Sequence, residues 1–173
     1  CHAMSGYSGG GRQMIEKFQN FSATQTDSLG VQSYAHAQQH KHLPEMLSYS
    51  GTAVPPIFTP SVANYYKGML VEIPLFATEL NNASPKQVHE VLRQRYAQDP
   101  FINVASLGAD ELMENGFLNP TGCNNSNRMD LMVLGDAQRI ILCARYDNLG
   151  KGAAGAAVQN LNIMLGIEES LGL

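Results

Sequence analysis

The segment Ser5-Gly6-Tyr7-Ser8-Gly9-Gly10-Gly11-Arg12 constrains the fold more than any other stretch, because four of the six positions from Gly6 to Gly11 are glycine. Such a backbone turns sharply and comes close to other atoms, since glycine alone takes positive φ without steric cost. Behind it Met14, Ile15, Phe18 and Phe21 recur at helical spacing, which predicts a helix starting near Gly10 or Gly11. A glycine loop that runs into a helix start can converge backbone N–H groups on an anion. The same composition also serves a turn that binds nothing, and this segment alone leaves both readings open.

The rest of the chain alternates short β-rich runs with helical patterns. Ser22 to Gln32 is polar and reads as a loop, and Tyr34 to Glu45 reads as a strand followed by a turn. Ile57 to Val62 and Met69 to Thr78 are apolar strands whose Pro60 and Pro74 argue for edge positions or bulges. Ser84-Pro85-Lys86-Gln87 is a helix start with a capping box, followed by Val88, Val91, Leu92 and Tyr96 as a buried stripe that Asp99-Pro100 stops. Phe101 to Ser106 is the next strand, and Met129–Leu134 with Arg139–Tyr146 form a hairpin turning near Gly135-Asp136. A last helix spans Lys151 to Leu165 and ends at Gly166. Its Gly152 to Ala157 stretch carries almost no side-chain bulk, so it exists to let something come close. The fold predicted is α+β, a mixed, largely antiparallel sheet with helices on one face.

Histidine is unevenly distributed. His2, His36, His40 and His42 lie in the first 42 residues, and in His40-Lys41-His42-Leu43-Pro44-Glu45 an imidazole is followed three residues later by a carboxylate. Histidine titrates near neutrality, so His42 is the candidate acid/base group and Glu45 its orienting carboxylate. A His-x-His pair can also hold zinc, or belong to a solvated loop. Zinc needs three or four ligands and no Cys-x-x-Cys pattern supplies the others, so no metal is expected.

Composition narrows the partners. The 173 residues carry a net charge of −4, which gives no basic footprint for nucleic acid or an anionic membrane surface. No apolar run is long enough to span a bilayer. Three scattered cysteines (Cys1, Cys123, Cys143) favour a reducing, cytoplasmic setting over a disulfide framework.

Four separated strings resemble one family in the right order: Ser5 to Arg12, His40 to Glu45, Pro60-Ser61-Val62, and Asp147-Asn148-Leu149-Gly150-Lys151-Gly152-Ala153. Together they resemble the carboxy-terminal part of the N-acetyl-gamma-glutamyl-phosphate reductases. Cys123 to Asp130 and Gln159 to Asn162 are similar to the short, second type of that family. The resemblance implies an NADP-dependent reduction of an acyl phosphate through a thioester, with His42 and Glu45 catalytic and His40, Lys41, Arg12, Ser5 and Ser8 on the substrate. It places Gly6, Gly9, Gly10 and Asn148 at the cofactor, with Arg128 and Lys151 as further anion candidates. The chain holds no Asn-Pro-Gly-Cys string, where that family carries its nucleophile. Residues 1–173 are therefore expected to be the substrate-binding and dimerisation domain of a homo-oligomer. The dinucleotide-binding domain lies outside them and packs on the last helix. Related acyl-phosphate reductases such as aspartate-semialdehyde dehydrogenase, a non-catalytic dimerisation module, and a Cys1 nucleophile beside His2 are the alternatives.

Overall fold

A computed structural model describes residues 1–20 and 29–173. Strand β1 (His2–Gly6) leads through a tight turn at Tyr7–Gly10 into helix α1 (Gly11–Gln19), as the glycine run predicts. Phe18 and Met14 turn inward against Leu29, Val62 and Tyr7, while Arg12 and Glu16 pair at 2.7 Å on the outer face. Burying one such aromatic ring contributes about 1.5–3 kcal/mol. Phe21 and residues 22–28 of the expected loop lie outside the described residues, and Val31–Gln32, expected as its end, begin strand β2 (Val31–Ser33).

The strand expected from Tyr34 to Glu45 does not form. Ala35 and Gln38 take positive φ in a turn, and Leu43–Ser50 is helix α2. Pro44 sits in the first turn of α2, where its missing N–H costs nothing, so it starts a helix here. Strands β3 (Thr59–Ala63) and β4 (Met69–Phe76) match the apolar runs. Helix α3 (Pro85–Arg95) opens on the predicted capping box, with Ser84 Oγ accepting from Gln87 N–H and Gln87 Oε1 accepting from Ser84 N–H. Val91, placed on its buried stripe, is 64% exposed. His89 faces inward and makes a 2.8 Å hydrogen bond to the Ala105 carbonyl.

Strand β5 (Ile102–Val104) and the small ribbon β6 (Met113–Glu114) and β7 (Phe117–Leu118) precede the hairpin β8 (Met129–Gly135) and β9 (Arg139–Tyr146). A wide turn at Gly150–Ala154, with Ala154 N–H bonded five residues back to Leu149 O, continues into helix α4 (Gly155–Leu165), which Gly166 ends at φ 65°.

The main sheet runs β2-β3-β1-β4-β9-β8-β5. β3–β1 and β8–β5 are parallel and the other pairs antiparallel, so the sheet is mixed and largely antiparallel. β3 and β4 are interior strands, contrary to the edge positions read from their prolines. Pro60 lies where β2 runs out, its carbonyl accepting the last link from Tyr34 N–H at 3.0 Å, and Pro74 sits in β4 opposite Ile141 of β9.

One sheet face packs Ala3 of β1 and Val71 of β4 against Leu43 and Met46 of α2 and Phe58. Val62, on that same face, meets α1. The opposite face packs Leu70, Met132 and Cys143 beneath Ala105, Ala109, Leu112 and Leu118. Beside this core lies the fully buried Asp130, which accepts from Arg145 at 2.7 and 3.1 Å, Asn103 at 2.9 Å and the Cys123 thiol at 3.1 Å, with Arg128 at 3.1 Å. Burial pushes this carboxyl up, but the hydrogen bonds and the Arg128 charge outweigh it and hold the group below its ordinary range.

Candidate active site

A cavity of about 760 Å³ opens on the α1–α2 face of the sheet. Four elements meet around it. The glycine turn brings Ser5, Ser8, Gly9, Gly10 and Gly11, and the approach to α2 brings Tyr34, His40, Lys41 and His42. The sheet floor is Ala3, Pro60, Ser61, Val62, Met69 and Val71, and the segment after β9 adds Tyr146, Asn148, Leu149, Gly152 and Ala153. Met14, Met46 and Phe58 complete an apolar wall.

The histidine segment is held at two points. Gln38, at φ 54°, exchanges two hydrogen bonds with the Phe58 backbone, at 2.9 and 2.8 Å, as a strand partner would. His40 then packs its ring 5.1 Å from Phe58, edge to face, and 5.7 Å from Tyr34. The His42 backbone N–H donates to His40 Nδ1 at 3.2 Å, and the two imidazoles meet edge to face at 4.8 Å. Partial burial pushes the His40 imidazole below its ordinary range, and the charges at His42 and Lys41 push the same way. His42 itself is the residue preceding α2, with its side chain exposed.

Asp147 anchors the other wall. It is buried and accepts from Leu149 and Gly150 N–H with one oxygen, and from Asn125 N–H and Lys67 with the other. Burial raises this carboxyl, and the backbone donors with Lys67 more than reverse it. The fixed loop points Asn148 between the glycine turn and the segment before β4: its Oδ1 accepts from Gly68 N–H at 2.8 Å and its Nδ2 donates to Ser8 Oγ at 3.1 Å. One N–H of that amide remains for a ligand. At Gly9 a Cβ would stand 3.1 Å from Ser5 Oγ and 3.6 Å from Asn148 Nδ2, so glycine there lets the turn approach both side chains.

Three of the expected site residues stand elsewhere. Arg12 is outside the cavity, its side chain 90% exposed and paired with Glu16, because its place on α1 is opposite Met14 and Phe18. Gly6 is also outside. A Cβ there would lie 2.6 Å from the Tyr66 carbonyl, so this glycine lets β1 meet the 65–68 segment. Glu45 does not reach His42. It is exposed in the first turn of α2, with no hydrogen bond or ion pair among the described residues, because Pro44 continues into a helix that carries Glu45 away. Its carboxylate suits the positive helix N-terminus instead.

Arg128 and Lys151, the further anion candidates, are committed to internal partners: Arg128 to Asp130 and the Gly122 carbonyl, Lys151 to Gln159 and, at 5.7 Å, the Phe101 ring. His36 is exposed. Among the described residues no group of three or more His, Cys, Asp or Glu is placed to hold a metal ion. His2 lies between Glu72 at 3.3 Å and Ser61 Oγ at 3.4 Å, the order of a hydrolytic triad. Ser61 is buried in a regular strand, so these contacts tie β1, β3 and β4 together. Cys123 and Cys143 are buried, with burial raising both thiols, Cys143 to about 12. Neither suits a nucleophile.

Sequence reasoning missed Gln38, Phe58, Met46, Met69 and Tyr146. Tyr146 and Met46 adjoin strings the sequence singles out, Asp147 to Ala153 and His40 to Glu45. The others become neighbours through α2 and the strand register, which no local pattern displays.

Residues 1–148 match the family model described as semialdehyde dehydrogenase, dimerisation domain. The chain belongs to that family. Its sequence relatives are more specific. It is 44% identical, over 99% of its length, to 56% of N-acetyl-gamma-glutamyl-phosphate reductase 2 of Nostoc sp. (strain PCC 7120). It is 38% identical, over 95% of its length, to 52% of N-acetyl-gamma-glutamyl-phosphate reductase of Burkholderia lata. The chain thus spans about half the length of the curated relatives it matches. In fold it is similar to aspartate semialdehyde dehydrogenase II from Vibrio cholerae, at TM-score 0.68 and 16% identity, covering 95% of this chain and 54% of that one.

Proposed function

We propose that these residues are the substrate-binding and dimerisation part of an NADP-dependent N-acetyl-gamma-glutamyl-phosphate reductase, which makes N-acetylglutamate 5-semialdehyde for arginine biosynthesis. One observation carries the reading: Ser5, Ser8, His40, Lys41, His42 and Asn148, distant in sequence, line one cavity in a chain whose curated relatives bear that name.

The chemistry needs a thiolate that attacks the acyl phosphate and releases phosphate as the thioester forms. We place that thiol outside residues 1–173: Cys123 and Cys143 are buried, and Cys1 packs against the Ala3, Leu43 and Phe58 cluster without lining the cavity. Bound NADPH supplies the hydride that takes the thioester to the aldehyde level. His42 moves the proton, protonating the oxyanion on the former carbonyl or deprotonating the incoming thiol, a contribution of ~10²–10⁴-fold. Lys41, His40, Ser5 and Ser8 supply donors to the anionic substrate. Gly9, Gly10 and Asn148 would hold the cofactor, the glycines by leaving room beside Ser5 and Asn148 and Asn148 through its remaining amide N–H. Arg12 and Glu45 reach the substrate only if they turn from the surface, so we leave them in supporting roles.

Helix α4 exposes Leu161, Ile163, Met164 and Leu165, and the small residues Gly152 and Ala153 of the turn before it line the cavity. We assign this surface to the dinucleotide-binding domain. The description of the matched family supports homo-oligomerisation through this domain. Three free cysteines suit the cytoplasm.

The test is an assay of the full-length protein in the oxidative direction, with phosphate and NADP. N-acetylglutamate semialdehyde should be turned over far faster than aspartate semialdehyde. The reverse preference would sink the substrate assignment while leaving the reaction class intact.

A further inference from the structure

We propose that His40 is a positioning residue for His42: its Nδ1 holds the His42 backbone and its ring braces the His42 imidazole. This rests on the reading of His42 as the acid/base group.

The geometry makes the case in three steps. The His42 N–H donates to His40 Nδ1, so that nitrogen must carry its lone pair and the single ring proton lies on Nε2. The ring itself is immobilised by Phe58 and Tyr34, and Phe58 is tied back to the same segment by the two-bond exchange with Gln38. His42 has no such support of its own. It precedes α2 without a side-chain capping bond, and its imidazole meets only the edge of His40 among the ring contacts of the described residues. His40 therefore converts an anchored wall into a fixed position for the exposed catalytic ring. A displacement of about 1 Å at such a group costs on the order of 10²-fold in rate.

The two histidine nitrogens can be separated by substitution. Asparagine at 40 places Oδ1 where Nδ1 stands and accepts the same N–H two residues on, as in an Asx-turn, whereas glutamine extends toward the Nε2 position. In the full-length enzyme, His40→Asn keeps an acceptor for the His42 N–H but loses the ring and the Nε2 donor to the substrate, so its KM should rise. His40→Gln loses the acceptor, and its kcat should fall roughly 10–100-fold below that of His40→Asn. Equal kcat in the two variants, or a higher kcat in His40→Gln, would overturn the proposal.

A second measurement does not depend on the variants' activity. In two-bond ¹H–¹⁵N spectra of the labelled wild-type protein at neutral pH, the His40 ring should be the Nε2–H tautomer with an accepting Nδ1. A protonated Nδ1 would overturn the proposal. His42→Asn, run alongside, reports on the underlying reading separately: unchanged kcat in that variant sinks the catalytic assignment of His42, whatever the tautomer of His40.

Discussion

At the scale of single residues, two buried carboxylates decide how the molecule responds to acid. Asp130 and Asp147 both sit below their ordinary value because donors and cations outweigh burial. A carboxyl depressed in the fold stabilises it fully above the unfolded value, near 3.8, and that stabilisation is lost as pH falls below it. Thermal stability should therefore hold from neutrality down to about pH 4 and then drop, a course that Tm against pH would trace. Asp130→Asn should cost about 3–5 kcal/mol in chemical denaturation at neutral pH, because it leaves the buried Arg145 uncompensated. A loss under about 1 kcal/mol would mean that the pair is replaceable. At this scale the sequence was most readable where chemistry is local. His40 and His42 do share a cavity with the glycine turn. His42, three residues ahead of a carboxylate, stands before α2 as Ser84 stands before α3, yet its side chain makes no capping bond and the expected pairing with Glu45 does not form.

Elements were legible where a start or stop signal stood alone. Ser84 with Gln87 and the glycine before α1 mark real helix starts, and Gly166 a real end. Ser84→Ala should lower stability by about 1 kcal/mol, read as a fall in Tm, since it removes the acceptor for Gln87 N–H. Where one residue type serves two roles, sequence reading went astray. Pro44 suits a turn and a helix start equally, and α2 was decided by Leu43 and Met46 docking on Ala3, Val71 and Phe58. The same ambiguity applies to Pro60 and Pro74, which lie inside interior strands. Helix packing adds a check: Met132→Ala, on a fully buried strand position, should cost about 2–5 kcal/mol, against a fraction of that for Val91→Ala on exposed α3.

Across the whole molecule, the sheet order is the part no local pattern shows. β1 lies beside β3 and β4, and β4 beside β9, so the glycine turn, the histidine segment and the Asp147-Asn148 turn meet although 140 residues separate Ser8 from Asn148. Helix α4 projects apolar residues that are exposed among the described residues, the surface we assign to the dinucleotide-binding domain. Residues 1–173 alone should show no phosphate-dependent aldehyde oxidation, and adding the remainder of the protein should restore it. The claim that this cavity is where the chemistry occurs is tested most directly by steady-state kinetics of full-length His42→Asn against wild type. The account predicts a kcat lowered by ~10²–10⁴-fold with KM changed far less. A variant whose folded fraction turns over at the wild-type rate would contradict it.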